Sequence, residues 1–205
     1  MKKFLILFFA IMLCDSAVTY AQNIRSAFVQ MPDTLLLLLT QNDRRDCIDF
    51  VDAGMRAVVT NRLGGKSELT HLSPDYLCLK TSPTSTMQMR MLPHAAGDSI
   101  LCVVNSVHAE ACNSDIRFYN SKWEELSLFP KPRIKDFFLP SDSLQRYIDM
   151  ADIYLVKLEL SSVSDSLRAD YTMPSYMTSD DSTKIAPMLR TLWYNWDGHG
   201  YHINK

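Results

Sequence analysis

Glycine is scarce, six residues in 205, and together with only nine prolines this excludes collagen-like sequence. The full phosphate-loop spacing G-x-x-x-x-G-K-[ST] does not occur. Gly64-Gly65-Lys66-Ser67 holds only its last part, with strand patterns on both sides. No serine sits in G-x-S-x-G, so the nucleophile elbow of the α/β-hydrolases is missing. No two cysteines are spaced C-x-x-C, which removes a common zinc and redox pair. Charge of one sign is lacking too. A formal net charge of −2 offers no field to a phosphate backbone and argues against nucleic acid as a partner. What is present is 47% hydrophobic and 21% charged residues, a globular composition that can bury a core and is neither disordered nor multi-span membrane sequence.

The first 21 residues have the three parts of a secretory signal peptide. Lys2 and Lys3 are the basic start, Phe4 to Leu13 is an unbroken apolar run, and a polar stretch ends in Thr19-Tyr20-Ala21. Cleavage after Ala21 leaves a mature chain beginning at Gln22. The apolar run is too short for a spanning helix, which needs roughly 20 residues, so no transmembrane anchor is expected after signal removal. Lipidation at Cys14 is disfavoured because Leu13 stands where lipoprotein processing wants a small side chain. The expected location is therefore periplasmic or extracellular. Cys47, Cys78, Cys102 and Cys112 remain in a compartment where disulfides can form. Cys47 and Cys102 lie among apolar positions and read as buried free thiols, with one disulfide among the four as the alternative.

From Ile24 to Met55 the pattern is helical. Pro32 suits the first turn of a helix carrying the Leu35 to Leu39 run, and Thr40-Gln41-Asn42 interrupts with capping residues before a second helix. In that helix Cys47, Ile48, Val51 and Met55 form the core stripe, Asp43, Asp46, Asp49 and Asp52 a solvated acidic stripe paired with Arg44 and Arg45, and Gly54 the stop. After Ala57 the period becomes two. Val59 to Leu63 and Ser67 to Thr70 flank Gly64-Gly65 as a hairpin with a two-residue turn. Strands follow at Tyr76 to Lys80, Thr86 to Leu92, Ile100 to Val107 and Asp115 to Tyr119, and short turns between them make the sheet antiparallel. Pro130-Lys131-Pro132 cannot continue a central strand and reads as a linker, or else as a surface crossing within one domain. Beyond it come a helix from Ser143 to Met150, a half-buried strand in which Tyr154, Val156, Leu158 and Leu160 alternate with Leu155, Lys157 and Glu159, a partner strand in which Leu167, Ala169 and Tyr171 alternate with Arg168 and Asp170, a short helix capped at Ser179-Asp180-Asp181, and a terminal hairpin from Trp193 to Trp196 and Tyr201 to Ile203. The expected architecture is α+β: a helix pair packed on an antiparallel sheet in residues 22–128, and a smaller α+β unit with a terminal hairpin in residues 134–205.

Met31-Pro32-Asp33-Thr34-Leu35, Leu39 to Phe50, Asn61 to Ser67 and Asp75-Tyr76-Leu77 resemble a family of exported Bacteroidales proteins, domain of unknown function family 3256. The resemblance covers roughly residues 28 to 125 and weakens at Phe118-Tyr119 and Trp123. It carries no catalytic role, so no functional residue is transferred. The order of elements also looks like the modular plan of beta-lactamase-inhibitor-like α+β proteins, which implies binding rather than catalysis, though fold alone does not fix function.

Candidate chemistry is sparse. The aspartates at steps of three would make a hard-cation site only with a loop and a glycine bend, which they lack. His108, Glu110 and Cys112 would share one face of a strand, and Asp197, His199 and His202 form D-x-H-x-x-H, but each set is short of a complete metal shell. Met87, Met89 and Met91 make a row that reads as core. No catalytic, cofactor or metal residue is assigned. The expected function is a non-enzymatic envelope binding protein whose partner is a protein or glycan. Its partner surface would be Trp193, Tyr194, Trp196 and Tyr201, large amphipathic side chains beside a turn. The alternative is an exported hydrolase built on His94, His108 or His199 with a nearby carboxylate.

Overall fold

Side-chain caps start both N-terminal helices. In the computed structural model, which describes residues 23–151 and 153–204, Asn23 Oδ1 accepts the Ser26 N–H at 2.8 Å to open α1 (Ile24–Gln30). Thr40 and Asp43 exchange bonds in a capping box that opens α2 (Gln41–Asp52). The leader and Cys14 lie outside the described residues. Gly54, at φ +67°, follows the end of α2. The Leu35 to Leu39 run is not helical, contrary to expectation. It is a series of turns, because Pro32 follows directly on the end of α1 and a buried cation claims the local carbonyls. Arg44, 1% exposed, donates to the main-chain oxygens of Val29, Met31 and Leu39 and to Asp33 Oδ1. Arg44 is thus no member of a solvated face. Leu36 and Leu39 turn inward while Leu37 stays in solvent.

A seven-stranded antiparallel meander follows: β1 (Ala57–Thr60), β2 (Lys66–Leu72), β3 (Tyr76–Ser82), β4 (Ser85–Pro93), β5 (Ser99–His108), β6 (Cys112–Tyr119) and β7 (Glu125–Leu126). The β1–β2 hairpin differs from the expected two-residue turn. Its last pair is Thr60 with Lys66, leaving a loop of residues 61–65. Asn61 organises that loop: Oδ1 accepts the N–H groups of Leu63 (3.1 Å) and Gly65 (3.0 Å), and only Gly64 takes positive φ. A two-residue type I′ turn would need positive φ at both central positions.

The rest of the chain gives α3 (Leu144–Met150), β8 (Val156–Leu160), β9 (Ser166–Tyr171), α4 (Ser179–Ile185), β10 (Leu192–Trp196) and β11 (Tyr201–Ile203), with short 3-10 turns between them. Thr178, one residue before the expected cap, accepts the Asp181 N–H to start α4. The four strands form a second antiparallel sheet in the order β11-β10-β9-β8. The α+β class expected from the sequence is what the chain adopts.

Strand alternation divides the core. On β5, Leu101 and Val103 join α1 and α2 in one apolar cluster, while Ile100, Cys102 and Val104 join the second sheet in another. Met87 and Met89 lie fully buried on the helix side, as the core reading of the methionine row requires. The result is three layers: helices, seven-stranded sheet, four-stranded sheet. Edge strand β8 is tied to the middle layer by side chains. The N–H groups of Val156, Leu158 and Leu160 donate to Asn113 Oδ1 (3.3 Å), Ser114 Oγ (3.0 Å) and Gln88 Oε1 (3.0 Å). Arg90 on β4 completes the junction, bonding Asp75 (2.9 Å), Asp165 (2.7 Å) and the Ser161 carbonyl (3.0 Å).

Candidate functional site

The alternation of β10 decides which aromatic side chains can meet a partner. Leu192 and Tyr194 point inward, and Trp193 points out with 48% of its surface exposed. Tyr194 and Tyr201 are fully buried, Tyr194 against the Phe129 ring (5.1 Å between centroids) and Tyr201 against Phe118 and Trp196. Burial pushes both phenols up in pKa. Trp196 is half-buried, stacks on Phe118 and donates Nε1–H to the Pro93 carbonyl at 2.6 Å. Three of the four aromatic residues singled out from the sequence therefore close the junction between the sheets. Trp193 is the one left with a ring available for contact.

Trp193 stands at a cleft of about 350 Å³ whose lining includes Tyr76, Gln88, Glu159, Ser166 and Arg168. The register of the second sheet sets Arg168 between Trp193 and Glu159. The guanidinium lies 5.9 Å from the indole centroid and 2.9 Å from Asp170. From the other sheet, the Tyr76 hydroxyl accepts the Gln88 Nε2–H at 2.9 Å, and burial raises the phenol to about 12, with Cys78 adding to the rise. An aromatic face ringed by a guanidinium, a carboxylate, an amide and hydroxyls can hold a polar ligand that has one apolar side. Arg168 and Glu159 were visible as outward positions of alternating strands. Tyr76 and Gln88 carried no signal, because they reach the cleft only through packing between sheets.

The other candidate sets are scattered or already engaged. Asp43 caps α2, Asp52 pairs with Arg25 at 2.6 Å, and Asp46 and Asp49 face solvent. Asp197 and His202 meet at 3.0 Å, while His199 sits against His94 across two touching loops, 6.1 Å between ring centroids. Backbone N–H groups of His199 and Gly200, then the His202 ring, hold the Asp197 carboxyl below its usual range. His108 bridges Cys112 Sγ (3.3 Å from Nδ1) and Thr86 Oγ1 (2.9 Å from Nε2). Burial pushes the Cys112 thiol up, so the neutral form is favoured where a nucleophilic dyad would need thiolate. Among the described residues no three His, Cys, Asp or Glu side chains converge as a metal-ligand set. The four cysteines among the described residues are free thiols, Cys47 and Cys102 buried and Cys78 and Cys112 partly so.

The family model described as "Protein of unknown function (DUF3256)" matches residues 16–201. The chain belongs to this family. The DUF3256 match runs through both sheets and past the 28–125 span of the motifs, so residues 126–201 are as much part of the family as those before them. The fold is similar to a solved domain of an uncharacterized protein from Porphyromonas gingivalis W83. That domain is 25% identical, with a TM-score of 0.75 over 88% of this chain and 96% of the other. No curated protein matches. No helix among the described residues of this DUF3256 chain is long and apolar enough to cross a membrane.

Proposed function

We propose that this protein is exported and serves in the periplasm or outside the cell as a non-enzymatic binding protein of the envelope, holding a glycan against Trp193. The exposed indole in the cleft between Arg168, Glu159 and Tyr76 carries the reading. A sugar presents one apolar face for an indole and a rim of hydroxyls for planar charged and amide groups. The basic, apolar and polar parts of residues 1–21 support export, and the likeness in plan to beta-lactamase-inhibitor-like proteins agrees with binding. The hydrolase alternative is weaker, because His108 is held between a neutral thiol and a threonine and His94 faces another histidine.

Titration of the mature chain with soluble envelope glycan fragments, followed by tryptophan fluorescence, tests this. Saturable quenching should appear and be lost in Trp193→Ala with the fold intact. Unchanged binding in that variant, or turnover of a peptide, ester or glycan panel, overturns it. Intact mass of the exported protein should begin at Gln22; retained leader mass or lipid at Cys14 contradicts the location.

A further inference from the structure

β6 runs from Cys112 to Tyr119, yet β7 pairs with it only at Phe118 and Tyr119. The cause lies in the chain that follows. Past Leu126 an unbroken strand would set Ser127, Leu128 and Phe129 opposite Arg117, Ile116 and Asp115. Pro130 and Pro132 lack the N–H that such a ladder needs, and the segment leaves β6 instead. A cavity of about 330 Å³ opens there, lined by the β6 edge at 114–117, by the departing segment and by Tyr154, Val156 and Leu158 of the second unit. Along 113–117 alternate backbone groups face away from β5, and among the described residues no strand meets them. Asp115 and Arg117 project on the exposed side, 2.8 Å apart.

We infer that this edge takes an extended peptide segment of another protein as an added strand, in the place that β7 vacates. The ladder dictates the peptide's direction and pattern. It runs antiparallel to β6, as β7 does, with an acidic residue opposite Arg117, an aliphatic one opposite Ile116 and a basic one opposite Asp115. The aliphatic side chain enters the cavity beside Leu126 and Leu128. A second copy does not fit. Pairing two β6 strands about Asp115 sets carboxylates face to face, and pairing about Ile116 drives Asn113 and Ser114 into positions opposite Phe118 and Tyr119 that β7 already holds.

The probe is a blocked peptide, acetyl-Glu-Val-Lys-Val-Thr-amide, whose five residues lie opposite Arg117 to Asn113 and stop short of the positions β7 holds, added to the mature chain at up to about 1 mM, a range that captures weak sites. Amide exchange at 113–117 should slow about tenfold, and N-methylation of the ladder-facing peptide nitrogens should abolish the effect. A peptide with Glu and Lys exchanged should bind about fivefold more weakly, Arg117→Glu should level the two peptides, and Arg117→Glu combined with Asp115→Lys should reverse the preference. Equal binding of the N-methylated peptide, slowing elsewhere but not at 113–117, or no slowing at all overturns the proposal. So does concentration-dependent dimerisation in sedimentation that protects the same amides without peptide.

Discussion

Two buried arginines hold the fold at points where no apolar side chain would serve, and they differ in what their loss exposes. Arg44 serves main-chain carbonyls that cannot move to water, so Arg44→Met leaves several acceptors unsatisfied in the interior. A loss of about 3–5 kcal/mol in urea unfolding is expected, and Arg44→Lys should recover only part of it, since an ammonium cannot span the same acceptors. Arg90 is equally buried, but Asp75 and Asp165 are each more than a third exposed and can rehydrate. Arg90→Met should therefore cost less, about 1–3 kcal/mol. A larger loss at Arg90 than at Arg44 would contradict this ranking. Burial, with Asp43 and Asp46 adding to it, raises the Cys47 thiol to about 11, and burial raises the Tyr194 and Tyr201 phenols as well. The folded state favours each protonated form. The stability these groups add is complete below their unfolded values, about 8.5 for thiol and about 10 for phenol, and is lost as pH climbs toward the folded values. The urea midpoint should fall steadily above about pH 9; a midpoint that holds to pH 11 refutes that account.

Local chemistry sets most element boundaries, and the exceptions have local causes. Helix caps at Asn23, Thr40 and Thr178 use the short polar side chains that satisfy first-turn N–H groups. Thr40→Ala should cost about 1 kcal/mol. In the β1–β2 loop, Asn61→Ala removes the acceptor for two N–H groups, and about 1–2 kcal/mol should follow. Gly64→Ala at φ +78° should cost about 1 kcal/mol although a Cβ there meets nothing within 4 Å, because the strain is in the backbone alone. If Gly64→Ala proves neutral while Asn61→Ala is not, the side-chain bonds and not the left-handed residue shape the loop. The Leu35 to Leu39 run was misleading for a related reason. Its composition suits a helix, but the carbonyls around it are taken by a guanidinium from the following helix.

The central strands of the seven-stranded sheet are buried on both faces, which joins the two halves of the chain. Ile100, Cys102, Val104 and Phe118 pack against Leu158, Leu167, Tyr194 and Tyr201 across the Pro130-Lys131-Pro132 crossing. We expect residues 22–205 to unfold in one cooperative step, and residues 22–128 alone to expose that face and aggregate or bind a hydrophobic dye. A protease-resistant fragment ending near residue 130, or two separate thermal transitions, would instead support independent units.

Period and punctuation were enough to read the helix and strand types, the meander and the terminal hairpin, because alternation, caps and prolines act within a few residues of themselves. They also set Arg168 and Glu159 off the apolar stripes of their half-buried strands. Which inward face meets which is a different matter. Val104 and Val103 are indistinguishable in sequence, yet one faces the second sheet and the other the helices. Arg44 looks like any surface arginine until the turns of residues 31–39 close around it. Tyr194 and Trp193 are equally amphipathic neighbours, and only the packing of one sheet on the other buries the first and leaves the second at the mouth of a cleft with Tyr76 and Gln88. Long-range burial depends on pairs of surfaces far apart in the chain, and no local pattern encodes both members of such a pair.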